Sequence, residues 1–120
     1  MRAYMRYEQG EVKELGEVGR KQVQGLVDRA DFSIVTPRPY GLGFYRSEAD
    51  FLELTPVGQS EFLLWSDLIT GRQDASLLRS LLRSKQHIDI IVKGREAAAA
   101  VVLEYMDSSR QAFERRFHGD

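Results

Sequence analysis

The sequence contains no cysteine, which excludes disulfide bonds and thiolate zinc sites. It contains no asparagine either, so it has no N-glycosylation acceptor. The longest run of small and apolar residues, 97–103, is far shorter than the roughly 20 residues that a membrane-spanning helix needs. We therefore expect no membrane span, and the absence of cysteine fits a reducing cytoplasm.

An excess of charge of either sign is also missing. The chain carries 17 basic and 18 acidic residues, for a formal net charge of −1 at pH 7. A general binder of nucleic acid or of an anionic membrane normally shows a large basic excess. Neither class of partner is expected.

Motifs for catalysis, metals and cofactors are lacking. The two histidines, His87 and His118, are far apart and stand in no HExxH motif. Residues 41–43 begin like a dinucleotide-binding loop, but Arg46 stands where the third glycine belongs. Residues 58–62 resemble a nucleophile elbow, but Phe62 replaces its second glycine. We therefore predict no catalytic residue, no metal site and no cofactor.

The chain has the length of a single domain, and its 42% of apolar residues is enough for one core. We predict one α+β domain spanning residues 1–120. Short β-branched and aromatic segments separated by turn residues predict an antiparallel meander sheet of about five strands, covered by helices. Strand-like segments lie at 2–7, 32–36, 44–46, 51–55, 62–65 and 88–92. Gly41 and Gly43 are interpreted as turn and strand-entry residues.

Three segments have helical spacing of apolar residues. The first runs from about Glu11 to Ala30, where internal glycines weaken the N-terminal half. The second begins at Asp74 and lines one face with leucines at 77, 78, 81 and 82. The third is the last segment, where Ala99, Val102, Met106, Phe113 and Phe117 make a stripe, and the pattern leaves open a break at Asp107–Ser108. If it breaks, Ser108 and Gln111 have the spacing of a capping box for a further helix.

The central segment 44–67 has an unusual composition, with five acids, one base and several aromatic residues. If one sheet face packs under helices, the other face presents these acids and some rings to a basic partner protein. The predicted partner-binding residues are Tyr45, Glu48, Asp50, Glu53, Glu61, Trp65 and Asp67. The alternatives are an ordinary solvated face for the acids and core positions for Tyr45 and Trp65.

The run from Leu26 to Val35, followed by 43–46, 51–54 and 62–65, resembles small bacterial toxin-immunity proteins. In several of those families a helix leads into an aspartate, an aromatic, a small and an aliphatic residue, and short strands follow. The resemblance covers roughly residues 26–67. It implies that the protein neutralises a cognate toxin, often a nuclease, by occluding its active site or substrate groove.

Two other functions remain open. A small acidic secretion chaperone has the same size and class, but it needs a dimer and an exposed apolar groove. An enzyme with an unfamiliar carboxylate site needs a deep pocket and a carboxylate of raised pKa. On the partner-binding hypothesis, reversing Asp50 and Glu53 to lysine weakens binding and leaves thermal stability nearly unchanged.

Overall fold

The computed structural model describes residues 1–7, 10–30, 39–58, 60–67 and 87–118. In these residues six strands form one antiparallel sheet, and three helices accompany it. The strands are β1 (Arg2–Tyr7), β2 (Val12–Glu17), β3 (Pro39–Tyr45), β4 (Phe51–Gly58), β5 (Glu61–Asp67) and β6 (His87–Lys93). The helices are α1 (Arg20–Arg29), α2 (Arg95–Asp107) and α3 (Arg110–His118).

The strand order in the sheet is β2-β1-β3-β4-β5-β6. β1 and β2 form a hairpin, and β3 lies on the other side of β1. From β3 to β6 each described strand pairs with the next one along the chain. The α+β class and the antiparallel sheet are thereby confirmed, with six strands rather than five.

The additional strand is β2, which occupies the first half of the segment predicted as one helix. Gly10 and Gly16 have φ values of +96° and +94°. Glycine adopts this conformation easily, and it is incompatible with an α-helix at these positions. The hairpin is closed by the amide of Tyr7, which donates to the Glu11 carbonyl at 2.8 Å. α1 begins only at Arg20, where the Gln22 side chain accepts a hydrogen bond from the Gly19 amide at 2.7 Å.

The third strand is longer than the sequence suggests. Gly41 and Gly43 lie inside β3 and pair with β1, so their interpretation as turn and strand-entry residues is wrong. The strand predicted at 32–36 and the helix predicted from Asp74 lie outside the described residues.

The sequence left open whether the C-terminal helical segment is continuous, and the structure shows that it is broken, because α2 ends at Asp107 and α3 begins at Arg110. The capping residue differs from the prediction by one position. Ser109, not Ser108, caps α3, since its Oγ accepts a hydrogen bond from the Ala112 amide at 3.1 Å.

One face of the sheet, the inner face, packs against the helices. Alternate residues of β3, β4 and β5 point to this face and are fully buried with the apolar residues of α1 and α2. The largest buried side chains of the core include Phe44, Tyr105 and Phe113. Among the helices that the structure describes, none combines the length and apolar character of a membrane span.

Candidate functional site

The opposite face of the sheet, the outer face, carries the other residue of each alternating pair. Tyr4 and Arg6 of β1 lie beside Glu53 of β4 across the glycine-rich strand β3. Trp65 of β5 is paired with Glu53 on its other side. These outer positions bring together side chains from three strands, β1, β4 and β5.

A cavity of about 470 Å³ opens on this face, which we call the outer-face cavity. Its volume falls in the range of about 300–1,000 Å³ that is usual for ligand pockets. It is lined by Tyr4, Arg6, Val12, Glu14, Tyr45, Ser47, Glu48, Phe51, Glu53 and Trp65. The lining therefore combines four aromatic rings with three carboxylates and one guanidinium.

The most buried carboxylate of the lining is that of Glu53, which is only 2% exposed. Arg6 forms a bidentate ion pair with it, through Nε to Oε1 at 3.2 Å and through Nη2 to Oε2. The Tyr4 hydroxyl donates to Oε1 at 2.7 Å, and the Thr55 hydroxyl lies 3.3 Å from Oε2. The indole Nε1 of Trp65 donates to Thr55 Oγ1 at 3.4 Å. The buried carboxylate is thus neutralised and fully hydrogen-bonded.

Two glycines make room for this network. An ideal Cβ at Gly41 would lie 2.7 Å from Cδ of Glu53, and one at Gly43 would overlap the Tyr4 ring. The missing side chains leave a trough along β3, in which the Tyr4 ring and the Glu53 carboxylate lie against the backbone. Close approach to a strand backbone is a usual reason for glycine inside a strand.

A second polar cluster lies at the β2 side of the cavity. The Tyr45 hydroxyl donates to Glu14 Oε1 at 2.6 Å, while Arg2 Nε and the Gly16 amide donate to Oε2 at 3.0 and 3.1 Å. The hydrogen bond from Tyr45, with smaller contributions from Gly16 and Arg2, lowers the pKa of Glu14 below its ordinary value. Glu14 therefore carries its negative charge over a wider pH range than a free glutamate.

The aromatic rings form two pairs, neither of which is stacked face to face. Tyr4 and Tyr45 have centroids 5.9 Å apart and planes tilted by 55°, and Phe51 meets Trp65 edge to face at 5.2 Å. In such arrangements at least one ring face of each pair is not covered by its partner ring. The cavity lining thus contains aromatic rings as well as carboxylates.

Four of the seven predicted partner-binding residues line this cavity: Tyr45, Glu48, Glu53 and Trp65. Trp65 is half-buried on the outer face, so the alternative of a core position does not apply to it. Glu48 is exposed, and within the described part of the chain it has no salt-bridge partner. Glu53 differs from Glu48 because Arg6 compensates its charge.

Asp50, Glu61 and Asp67 are not in the cavity lining. Asp50 accepts a hydrogen bond from the Tyr105 hydroxyl at 2.7 Å and pairs with Arg46 and Arg110, so it joins the sheet to α2 and α3. Glu61 is the first residue of β5, and Lys93 lies opposite it in the register of β5 with β6. Asp67 is exposed at the other end of β5. The acidic segment therefore does not form a single patch.

Sequence reasoning did not identify the remaining lining residues, which are Tyr4, Arg6, Val12, Glu14, Ser47 and Phe51. A signal for Tyr4 and Arg6 was present, because they alternate with core residues on β1. The paired glycines at 41 and 43 were a second signal, since their spacing places both on one face of a strand. Glu14 gave no signal while its segment was interpreted as a helix.

In the described residues no group of three or more histidine, aspartate or glutamate side chains is placed to hold a metal ion. Comparison with protein-family models, with curated proteins and with solved structures finds no match for this chain. The resemblance to toxin-immunity proteins therefore stays a prediction.

Proposed function

We propose that this chain is a protein-binding module of the cytoplasm that recognises a basic partner through its outer sheet face. Following the resemblance to toxin-immunity proteins, we propose further that the partner is a toxin domain, in the simplest case a nuclease, which is neutralised by occlusion. The observation that carries the binding proposal is the outer-face cavity, where aromatic faces and carboxylates meet on an exposed surface.

The exposed residues at the cavity support this proposal. Val12 is 57% exposed although it is apolar, and it lines the cavity together with Glu14 and Glu48. Aromatic residues are enriched among the residues that dominate binding energy at protein interfaces, and complementary charge speeds association. A nuclease must be positively charged where it holds phosphates, so it presents the complementary surface.

The proposal can be tested with surface variants that leave the fold intact. Val12→Arg and Glu48→Lys change exposed side chains, so we expect each to alter stability by less than about 0.5 kcal/mol. Glu96→Lys reverses an exposed charge on α2, away from the cavity, and is the matched control. The wild-type chain and these variants are immobilised and incubated with lysate of the native strain.

A basic protein retained by the wild type and by Glu96→Lys, but lost with Val12→Arg and Glu48→Lys, supports binding at the outer face. The purified partner is then assayed for activity against increasing amounts of the chain. Stoichiometric inhibition supports neutralisation. Retention that is equal for all variants contradicts the proposed face, and a fully active partner in the complex contradicts the immunity function. An obligate dimer in light scattering would favour the chaperone alternative instead.

A further inference from the structure

The outer-face cavity has the composition of a site for a cationic group. Tyr4, Tyr45, Phe51 and Trp65 line it, and aromatic rings attract cations over their faces through their quadrupoles. Carboxylates around the rings add direct charge attraction. Pockets of this composition bind ammonium and guanidinium groups, whereas an anionic or purely apolar ligand would not compensate the charge of a carboxylate that has no cation.

The charges in the cavity are not balanced. Arg6 and Glu53 compensate each other through their bidentate pair, and Arg2 pairs with Glu14 from outside the lining. Glu48 is then the carboxylate for which the described residues provide no cation. Three carboxylates thus stand against two guanidiniums, and the uncompensated charge lies at the exposed side of the cavity. One further positive charge from a partner would complete the set.

The chemistry of the cavity lining favours a guanidinium over an ammonium group. Arg6 already shows that this environment holds a planar guanidinium with two hydrogen bonds to one carboxylate. A second guanidinium could lie flat against a ring and donate in its own plane to Glu48 and to hydroxyl oxygens of the lining. Lysine has a compact, strongly hydrated charge that does not match flat rings as well.

We infer that the outer-face cavity receives one arginine side chain of the basic partner, with Glu48 as its main carboxylate and the aromatic rings as its walls. This assignment rests on the proposed function for the source of the arginine. It makes the cavity an anchor site within a larger interface. Asp50, Glu61 and Asp67 then contribute nothing to the anchor itself.

Trp65 is the only tryptophan of the chain and lines the cavity, so its fluorescence reports occupancy directly. The probe is a blocked glycine peptide with one central arginine, titrated into the full chain at low salt. Matched peptides carry lysine or citrulline, the second being a neutral group of the same shape. We expect a saturable change of Trp65 fluorescence with the arginine peptide, and binding at least about tenfold weaker with citrulline.

Variants locate the site. Glu48→Gln should weaken arginine binding about three- to tenfold, while Glu96→Gln, the exposed control on α2, should leave it unchanged. Chemical-shift changes in a parallel nuclear magnetic resonance titration should cluster at the cavity. Equal binding of arginine and citrulline, preference for lysine, or no saturable change in either measurement would overturn the assignment.

The two proposals fail in different ways. If the chain captures a basic partner through its outer face but does not distinguish arginine from citrulline, the arginine assignment is wrong and the proposed function stands. If the arginine peptide binds in the cavity but no partner depends on Val12 and Glu48, the cavity chemistry stands and the protein-binding function is wrong.

Discussion

Tyr4 and Gly43 occupy paired positions on neighbouring strands, and the phenol ring of Tyr4 fills the space that a Cβ at Gly43 would need. The ring reaches across β3 in this way, so that its hydroxyl meets the Glu53 carboxylate on the next strand. The outer-face cavity therefore depends on an absent side chain as much as on the residues that line it.

Gly43→Ala should destabilise the protein by about 1–3 kcal/mol, because the new methyl group must displace the Tyr4 ring and break its hydrogen bond. Gly25→Ala is the matched control. It lies within α1, and its Cβ would meet only the flexible end of Arg29, at 3.3 Å. Helix propensity then predicts a gain of up to about 1 kcal/mol. Urea denaturation measures both changes, and shifts of the same sign would contradict this account.

The ion pair between Arg6 and Glu53 should couple strongly in a double-mutant cycle. Glu53→Gln leaves a guanidinium without its carboxylate and should cost about 1–3 kcal/mol. Adding Arg6→Gln should then cost less than Arg6→Gln alone, with a coupling of about 0.5–3 kcal/mol. The control cycle uses Arg2 and Glu14, whose exposed pair should show a clearly smaller coupling. Equal coupling in the two cycles would show that burial of Glu53 is not important.

The contacts of Asp50 and Glu53 change the effect on stability that the sequence predicts for their reversal. Reversal of Asp50 and Glu53 to lysine was expected to leave thermal stability nearly unchanged. Each carboxylate accepts a hydrogen bond from a tyrosine hydroxyl and forms an ion pair with an arginine. A lysine at either position would therefore be repelled by that arginine. We now expect a clear loss of stability from that reversal, whereas Glu48→Lys should be tolerated.

Local patterns were enough to predict much of the fold. Alternation placed β1, and short apolar or β-branched runs between turn residues placed β4, β5 and β6. β2 was missed because a glycine-containing segment without clear alternation looks like the start of the helix that follows it. It becomes a strand because β1 offers it an edge to pair with, which is a tertiary effect.

The candidate site was predicted less well, because its contacts are distant in sequence. Tyr4 and Glu53 are brought together only by the β1-β3-β4 order, and nothing near either residue indicates the other. Asp50 and Glu48 look alike in sequence, two positions apart in an acidic segment. Tyr105 and Arg110 bind Asp50 from α2 and α3, and Glu48 stays exposed.

Alkaline pH should destabilise the protein through Tyr4 and Tyr105. Burial first, and then the hydrogen bonds to Glu53 and Asp50, raise the pKa of both phenols above the ordinary value of 10.0. Above about pH 10 the unfolded chain loses these protons while the folded chain keeps them, so the free energy of unfolding falls as pH rises. Below that pH their contribution is constant.

Denaturation midpoints across this range, with phenolate absorbance followed in parallel, measure the effect. Tyr4→Phe should lower the number of protons released on unfolding by about one above pH 10. A pH dependence identical to that of the wild type would mean that Tyr4 ionises in the folded state. Because the variant also loses one hydrogen bond, the slope with pH is compared and not the absolute stability.

Arg110 should be the residue that fixes α3 to the sheet. Its guanidinium donates to Glu114 Oε2 at 2.8 Å, to the Phe51 carbonyl at 3.2 Å and to the carbonyl of Asp67, and it pairs with Asp50 at 3.3 Å. One planar group thus binds the first residue of β4, the last residue of β5 and a side chain of α3. Lysine has a single nitrogen and cannot reach all these acceptors at once.

Arg110→Lys should therefore cost about 1–3 kcal/mol and speed amide exchange in α3 before the rest of the protein. Arg116→Lys is the control on the same helix. Its side chain is 63% exposed and lies 3.7 Å from Glu104, so its loss should change stability by less than about 0.5 kcal/mol. If both variants behave alike, α3 is held by Phe113 and its apolar neighbours alone. A loss confined to Arg110→Lys would show that the contacts of its guanidinium with Asp50, Glu114 and the two strand carbonyls hold α3 to the sheet.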